Sequence, residues 1–335
     1  MVIFLLLMRA GNKRRDCPSI PARIDMNERT LILIHGNALK PQKQDLWSVS
    51  NEAMRSGLAR ESTDLLSAFD QLRKDFPYFG DLTNGYSENA AQDYDELLDL
   101  EDRRNALESL KRLDKLKKFS LADYDRLPGK TALKEFAADV VSPVLNAVGL
   151  SRKIISRVDQ VLGAYWSDEL DLKVKILDRI RTPILDAMQR NDRILLLSHG
   201  IGSVYAFDAL WQISNTDAYR NLSIDRKIDI WITTGSPLGD PAIQKNLQGA
   251  NLKGPERYPH NVITWHNFAA EDDYMSHDKT LSDDYKAMLK QRLISRIKDH
   301  RIYNLAVRYG SSNPHSSVGY LNHPSMAKII SSWLT

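Results

Sequence analysis

The sequence predicts an α/β protein with a doubly wound, mostly parallel sheet and a helical insertion. Short continuous apolar runs recur along the chain and end at turn residues, as expected of strands that are buried on both faces. Segments of helical period lie between most of these runs, and this alternation indicates a parallel sheet with helices on both sides. Between about residues 88 and 161 the pattern changes to charged helical segments, which indicates the insertion.

The composition is that of an ordinary globular protein. A chain of 335 residues with 42% hydrophobic residues is long enough and apolar enough to bury a large core. The formal charge of +3 is too small to indicate a nucleic-acid partner. One cysteine excludes an intramolecular disulfide, so a cytoplasmic location is expected. Scattered histidines and the lack of a phosphate loop or a dinucleotide fingerprint predict no metal and no cofactor.

The chain begins with the apolar and basic stretch MVIFLLLMRAGNKRR. Its apolar run is far shorter than the roughly 20 residues of a membrane helix, and its basic residues follow that run rather than precede it. We expect residues 1–25 to be a poorly ordered or wrongly assigned leader, with Met26 as a plausible start. A membrane-surface anchor is the alternative. The predicted α/β domain would then cover residues 26–335.

The first strand is predicted at Thr30 to His35, and it is closed by Gly36. Ligands of such sheets bind beyond the carboxyl ends of the strands, so the residues at these ends are candidates for a site. A glycine at this point lets backbone amides, including that of Asn37, turn towards an anion. A second strand is predicted at residues 75–80, although Pro77 weakens the prediction.

The insertion at about residues 88–161 combines a charged helical segment with a more apolar one. Ser142-Pro143 interrupts the apolar segment and should kink or divide its helix. The apolar face could form a lid over a pocket or a plain packing layer, and a protein partner could bind there.

The next predicted strand, Ile194 to Leu197, runs directly into a tight turn and an apolar helix. The turn reads Ser198-His199-Gly200-Ile201-Gly202, and Gly202 permits the close packing of a strand against the following helix. Three further strands are predicted, at Lys227 to Thr233, Asn261 to Trp265 and Arg301 to Val307.

The turn and helix resemble the nucleophile elbow of the α/β-hydrolase superfamily, in particular its serine esterase and lipase-like branch. The elbow of that branch often reads HSxGSxxAYDxL, and the matching residues here are His199, Gly202, Ser203, Ala206, Asp208 and Leu210. In that family the nucleophilic serine stands at the position of Gly200. The first glycine of the elbow pattern stands at the position of Ser198.

The resemblance implies an acid and then a histidine in chain order. The segment HNFAAEDDYMSHD resembles the family's acid loop, where Asp273 is the first choice and Asp272 the second. His315 precedes the last helix by the loop length expected of the family's histidine. His323 stands next to a proline at the start of that helix, which indicates a capping or surface residue.

The resemblance extends over most of residues 26–335. It includes TTGSPLG at residues 233–239, which places Ser236 in a loop next to the mouth of the site, and PYFGDL at residues 77–82. A small acyl or ester-like ligand is implied. Backbone amides near Gly36, Asn37 and Ile201 would hold its carbonyl oxygen.

Glycine at position 200 leaves three interpretations open. Asp273 and His315 could activate a water molecule in place of the serine hydroxyl, giving an esterase-like hydrolase. The chain could instead be an inactive pseudo-hydrolase that binds a ligand or a protein partner. The serine could also have been replaced deliberately. For Ser198 or Ser203 to act as the nucleophile instead, the backbone of the elbow would have to follow a different path.

Overall fold

The computed structural model describes residues 29–86, 94–129, 160–167, 170–219, 226–276 and 278–335. A six-stranded sheet lies at the centre of the protein, and every neighbouring pair of its strands is parallel. In chain order the strands are β1 (Arg29–Ile34), β2 (Arg73–Asp75), β3 (Arg193–His199), β4 (Ile228–Thr234), β5 (Val262–Ala270) and β6 (Arg296–Ile302). The predicted α/β architecture with a parallel sheet is confirmed.

Helices cover both faces of the sheet. They are α1 (Lys43–Glu61), α2 (Leu66–Gln71), α3 (Gly80–Thr83), α4 (Glu96–Lys111), α5 (Leu121–Tyr124), α6 (Gln160–Trp166), α7 (Leu170–Gln189), α8 (Gly202–Asn215), α9 (Pro241–Gln244), α10 (Leu281–Asp284), α11 (Lys286–Lys290), α12 (Ser317–Asn322) and α13 (Pro324–Leu334). Within the described ranges, none of the helices has both the length and the apolar character that a membrane span requires.

The core consists of two apolar clusters, one on each face of the sheet. Alternate side chains of a strand point to opposite faces, so Leu195 and Leu196 belong to different clusters. Leu196 lies in register between Ile32 and Trp231, and this face packs against α7 and α8. The other face packs against α1, α12 and α13. Burial on both sides explains why these strands read as continuous apolar runs.

The strand order is β2-β1-β3-β4-β5-β6. From β1 the chain continues to one side of the sheet, and from β3 it continues to the other side. The loops after β1 and β3 therefore diverge, and ligands of open α/β sheets bind in the crevice formed at such a point. The candidate site is expected there.

Both edge strands differ from their predicted positions. The prediction at residues 75–80 was wrong because β2 is only Arg73–Asp75, and Pro77, which lacks an amide hydrogen, lies in the following loop. The last strand was predicted at Arg301 to Val307, whereas β6 is Arg296–Ile302. An edge strand with a partly exposed face carries charged residues, so its apolar signal is weak.

Two other boundaries matter for the site. Strand β3 extends to His199, so Ser198 lies inside the strand. Strand β5 extends from Val262 to Ala270, beyond the predicted end at Trp265. Val307–Arg308 (β7) and Ser311–Ser312 (β8) form a separate antiparallel hairpin before the last helices.

The predicted insertion is described only in part. Helix α4 is capped by Asp95, whose side chain accepts a hydrogen bond from the Leu98 amide, and the helix buries Leu100, Leu107 and Leu110. The expected break at residues 142–143 lies outside the described residues. So does the expected leader at residues 1–25.

Asp208 is a charged residue in the middle of the apolar helix α8. Its buried carboxylate accepts hydrogen bonds from the Tyr165 hydroxyl and the Gln248 amide, both at 2.8 Å. It thereby joins α8 to α6 and to the loop after α9. Burial raises the pKa of Asp208 to about 6, against the opposing effects of the Gln248 amide, Lys173 and Tyr165.

We expect Asp208→Asn to stabilise the chain at neutral pH. The folded chain holds a proton on Asp208 more tightly than the unfolded chain does. The protonated carboxyl therefore contributes fully to the stability of the fold below the ordinary pKa of aspartate, and this contribution is lost as the pH rises through about 6. The amide oxygen of asparagine can still accept from the Gln248 amide, and its NH2 group can donate to the Tyr165 hydroxyl, so both groups keep a partner without the charge. The advantage of the variant should grow by about 3 kcal/mol between roughly pH 4 and pH 7.

The measurement is the free energy of unfolding in urea across this pH range for both chains. Other carboxylates titrate in both proteins, so the difference between the two curves isolates Asp208. A constant difference would show that Asp208 does not titrate in this range.

Candidate active site

The turn between β3 and α8 presents Gly200 at the divergence of the β1 and β3 loops. Gly200 has φ +54°, in the left-handed region that favours glycine. Helix α8 begins two residues later at Gly202, where a Cβ atom would lie 2.1 Å from the carbonyl oxygen of His35. Gly202 thus allows the helix to pack directly against the end of β1.

An acid and a histidine meet next to this turn. His315, in the loop after β8, has its Nδ1 atom 3.0 and 3.1 Å from the two carboxylate oxygens of Asp273, in the loop after β5. A Cβ atom on Gly200 would lie 3.2 Å from Nε2 of the same imidazole. The ring therefore faces the acid with one nitrogen and position 200 with the other.

The Asp273 carboxylate is buried and held by two further donors. The Tyr320 hydroxyl donates to Oδ2 at 2.6 Å, and the Met275 amide donates to Oδ1 at 3.0 Å. The pKa of Tyr320 is raised well above its ordinary value, mainly by burial and secondly by the Asp273 carboxylate, so this hydroxyl keeps its proton. Tyr320 stands in an apolar helical pattern, and no motif in the sequence marks it.

The second choice for the acid, Asp272, has a different contact. Its carboxylate accepts a hydrogen bond from the Tyr124 hydroxyl at 3.1 Å. The structure thus pairs Asp273, and not Asp272, with the histidine.

Gly235, the glycine of the TTGSPLG segment, packs directly on the acid and the histidine. Its φ is +54°, and a Cβ atom there would lie 2.7 Å from Oδ2 of Asp273 and 2.9 Å from Nδ1 of His315. The neighbouring Ser236 is buried, and its hydroxyl accepts a hydrogen bond from the Leu238 amide at 3.3 Å. Ser236 shapes this turn, and Gly235 allows the acid and the histidine to approach each other.

We expect Gly235→Ala to separate Asp273 from His315. Its methyl group would overlap both side chains, in addition to the roughly 1–2 kcal/mol that a left-handed conformation costs a residue with a side chain. Gly254→Ala is the matched control, because Gly254 has φ +67° and no atom near its Cβ position. NMR of the His315 ring and urea unfolding should show a displaced ring and a larger loss of stability only for Gly235→Ala. Equal effects of the two variants would contradict this role of Gly235.

The two serines near the turn are engaged in the core. Ser198 and Ser203 have no exposed surface, and their hydroxyl oxygens are 3.1 Å apart. The Trp231 indole donates to Ser198 Oγ at 3.0 Å. Because β3 continues to His199, Ser198 belongs to the sheet rather than to the turn. We therefore do not propose Ser198 as a nucleophile.

Backbone from two loops flanks position 200. A Cβ atom on Gly200 would lie 3.9 Å from the Cα atom of Gly36, and Ile201 starts the turn into α8 on the other side. The Asn37 side chain exchanges hydrogen bonds with the Tyr205 hydroxyl at 2.9 and 3.1 Å, which anchors the loop after β1 to α8. Backbone of Gly36 and Ile201 thus borders position 200 on two sides.

His199 is a neighbour of the site to which the sequence assigns no role beyond the elbow motif. Its ring lies 4.6 Å from the His315 ring, centre to centre. The Thr234 hydroxyl donates to the Ser198 carbonyl, so it accepts from Nδ1 of His199, at 3.1 Å. The pKa of His199 is held well below its ordinary value, mainly by burial and secondly by His315, so this ring is neutral.

Two other histidines have structural contacts. Nε2 of His35 accepts from the Phe79 amide at 3.1 Å, and burial lowers its pKa to about 3. His323 caps α13, because its Nδ1 accepts from the Ser325 amide, and it is buried rather than at the surface. Over the ranges that the structure describes, no three histidine, cysteine or acidic side chains are grouped as metal ligands would be.

Comparisons with known proteins give no match: no family model, no curated protein and no solved structure matches the chain.

Proposed function

We propose that this chain is a carboxylic ester hydrolase of the α/β-hydrolase kind in which a water molecule replaces the serine hydroxyl. One observation carries the proposal: the His315 imidazole contacts Asp273 through Nδ1 while its Nε2 atom faces position 200. A general base needs its lone pair within hydrogen-bond reach of the proton that it removes. Glycine at position 200 lets water occupy the space of a serine hydroxyl.

The reaction follows from this arrangement. Nε2 of His315 accepts a proton from water as the water oxygen bonds to the ester carbonyl carbon. Asp273 stabilises the resulting imidazolium and keeps the ring oriented. Amides near Gly36, Asn37 and Ile201 bind the oxyanion of the tetrahedral intermediate. The intermediate then breaks its bond to the alkoxide, which takes the proton back from His315. The products are a carboxylic acid and an alcohol.

The test is hydrolysis of p-nitrophenyl acetate by the chain and by His315→Ala. Loss of the general base should lower kcat by about 10²–10⁴-fold. Any accessible imidazole hydrolyses activated esters slowly, so the effect of removing a histidine away from the site must also be measured. His266→Ala is this control, because His266 is another partly buried histidine, on β5. Activity that survives in His315→Ala would defeat the water mechanism and leave an acyl-binding module as the function of the site.

A further inference from the structure

A small crevice adjoins the candidate active site on the α1 side of the sheet. It lies between the loop after β1 and helices α1, α4 and α12, over a floor of leucine side chains. Its polar lining consists of His35, Lys40, Ser50, Arg103, His199 and Ser317. Gly36 and His199 border both the crevice and the active site, so a group bound here lies close to position 200.

Arg103, on helix α4, is the main reason to expect a ligand in this crevice. Its side chain is only 6% exposed, and its Nε atom donates to Asp99 at 2.8 Å. In the part of the chain that the structure describes, its two terminal nitrogens have no acceptor on the protein. A guanidinium taken out of water is costly unless its donors are satisfied, and an oxyanion satisfies two of them at once.

Asp99, the partner of Arg103, is shared with a second guanidinium group, that of Arg308. Its carboxylate also accepts from Arg308 at 2.6 Å and from the hydroxyls of Tyr94 and Tyr309, both at 3.2 Å. Burial opposes ionisation, but Arg103 and Arg308 lower the pKa of Asp99 to about 2, so it carries one full negative charge. Arg308 also pairs with Asp102, so two carboxylates, Asp99 and Asp102, face the two guanidinium groups.

Lys40 adds a second cation to the lining of the crevice. Burial is the largest cause of the lowered pKa values of His35 and His199, and the charges of Lys40 and Arg103 lower both values further. The two rings are therefore neutral, and both nitrogens of His35 already have partners, the Gly36 carbonyl and the Phe79 amide. Hydroxyl groups of Ser50 and Ser317 supply further donors.

We propose that this crevice binds an oxyanionic group of the substrate, a carboxylate or a phosphate, carried a few bonds away from the ester that is cleaved at position 200. The inference rests on the proposed function and narrows its substrate class. The Cα atom of Gly36, which borders the crevice, is 3.9 Å from the Cβ position of residue 200. A short charged acyl chain spans this distance, whereas a long neutral lipid chain would leave Arg103 unsatisfied.

Binding can be measured without turnover. Protein labelled with ¹³C in its histidines is titrated with sodium acetate and with inorganic phosphate at constant ionic strength, and the ring signals of His35 and His199 are followed by NMR. We expect saturable shifts that Arg103→Gln or Lys40→Gln weakens about tenfold, which corresponds to about 1.4 kcal/mol. Arg104→Gln is the matched control, since Arg104 is the next residue of α4 and its side chain is 56% exposed.

Saturation by either anion with this dependence on Arg103 or Lys40 supports the crevice, and the tighter anion identifies the group. Lys40→Gln serves if Arg103→Gln does not fold. Shifts that never saturate, or equal weakening in Arg104→Gln, overturn the proposal. If the anions bind but the chain shows no ester hydrolysis that depends on His315, the anion-binding proposal is supported and the hydrolase proposal is refuted.

The kinetic comparison uses monomethyl succinate and methyl butyrate, which differ by a terminal carboxylate. We expect a kcat/KM at least about tenfold higher for the charged ester, a preference of about 1.4 kcal/mol. Lys40→Gln should remove this preference, whereas the control variant Arg104→Gln should keep it. Equal rates for the two esters would show that the crevice does not select the substrate.

Discussion

Gly200→Ser is expected to react covalently with a fluorophosphonate probe, whereas the parent chain is not. The new Cβ atom would lie 3.2 Å from Nε2 of His315, so the hydroxyl would be within reach of a base that Asp273 already orients. Removal of a serine nucleophile from such a site elsewhere lowers kcat by about 10⁶, so its introduction should raise ester hydrolysis by several orders of magnitude.

The substitution has a cost in stability. Serine in the left-handed conformation loses roughly 1–2 kcal/mol, and the imidazole must move by a few tenths of an ångström. Gly200→Ala carries the same strain without a hydroxyl and should remain unlabelled. Asp273→Asn in the serine background should slow labelling by about 10⁴-fold, because it leaves the imidazole in the wrong tautomer. A folded Gly200→Ser chain that is not labelled would show that the acid and the histidine do not activate this position.

Gly202→Ala is expected to lower the free energy of unfolding by at least about 4 kcal/mol, a loss that few single substitutions cause. The added methyl carbon would lie 2.1 Å from the backbone oxygen of His35 and 3.0 Å from its carbonyl carbon. A flexible side chain could move aside, but this oxygen belongs to the end of β1. The overlap is relieved only if α8 moves away from the sheet, which would also displace the turn at Gly200.

Urea unfolding measures this loss, and Gly85→Ala provides the comparison. A Cβ atom on Gly85 would have no neighbour within 4 Å, so this variant should change stability by less than about 1 kcal/mol. If the two variants unfold at similar urea concentrations, α8 is not packed as closely against β1 as described.

The central strands were predictable because each is buried on both faces. Burial of all side chains in β1 and of most in β3 and β4 selects continuous apolar residues, and this selection is visible in a short window of sequence. Position 200 was predictable for a similar reason, since a strand that turns at once into a packed helix needs small residues at defined spacings. Asp273 and His315 were candidates because they stand in the chain order that the resemblance implies, the acid first and the histidine after it.

The tertiary structure alone decided the edges of the sheet and the surroundings of the acid and the histidine. Strands β2 and β6 have one neighbour each, so little in their sequence distinguishes them from loops. Tyr320 and Gly235 contact Asp273 across 47 and 38 positions of the chain, and Arg103 reaches the crevice from a helix outside the sheet. Local periodicity reports how deeply a residue is buried. It does not report which distant residue meets it, because strand order and helix packing set those contacts.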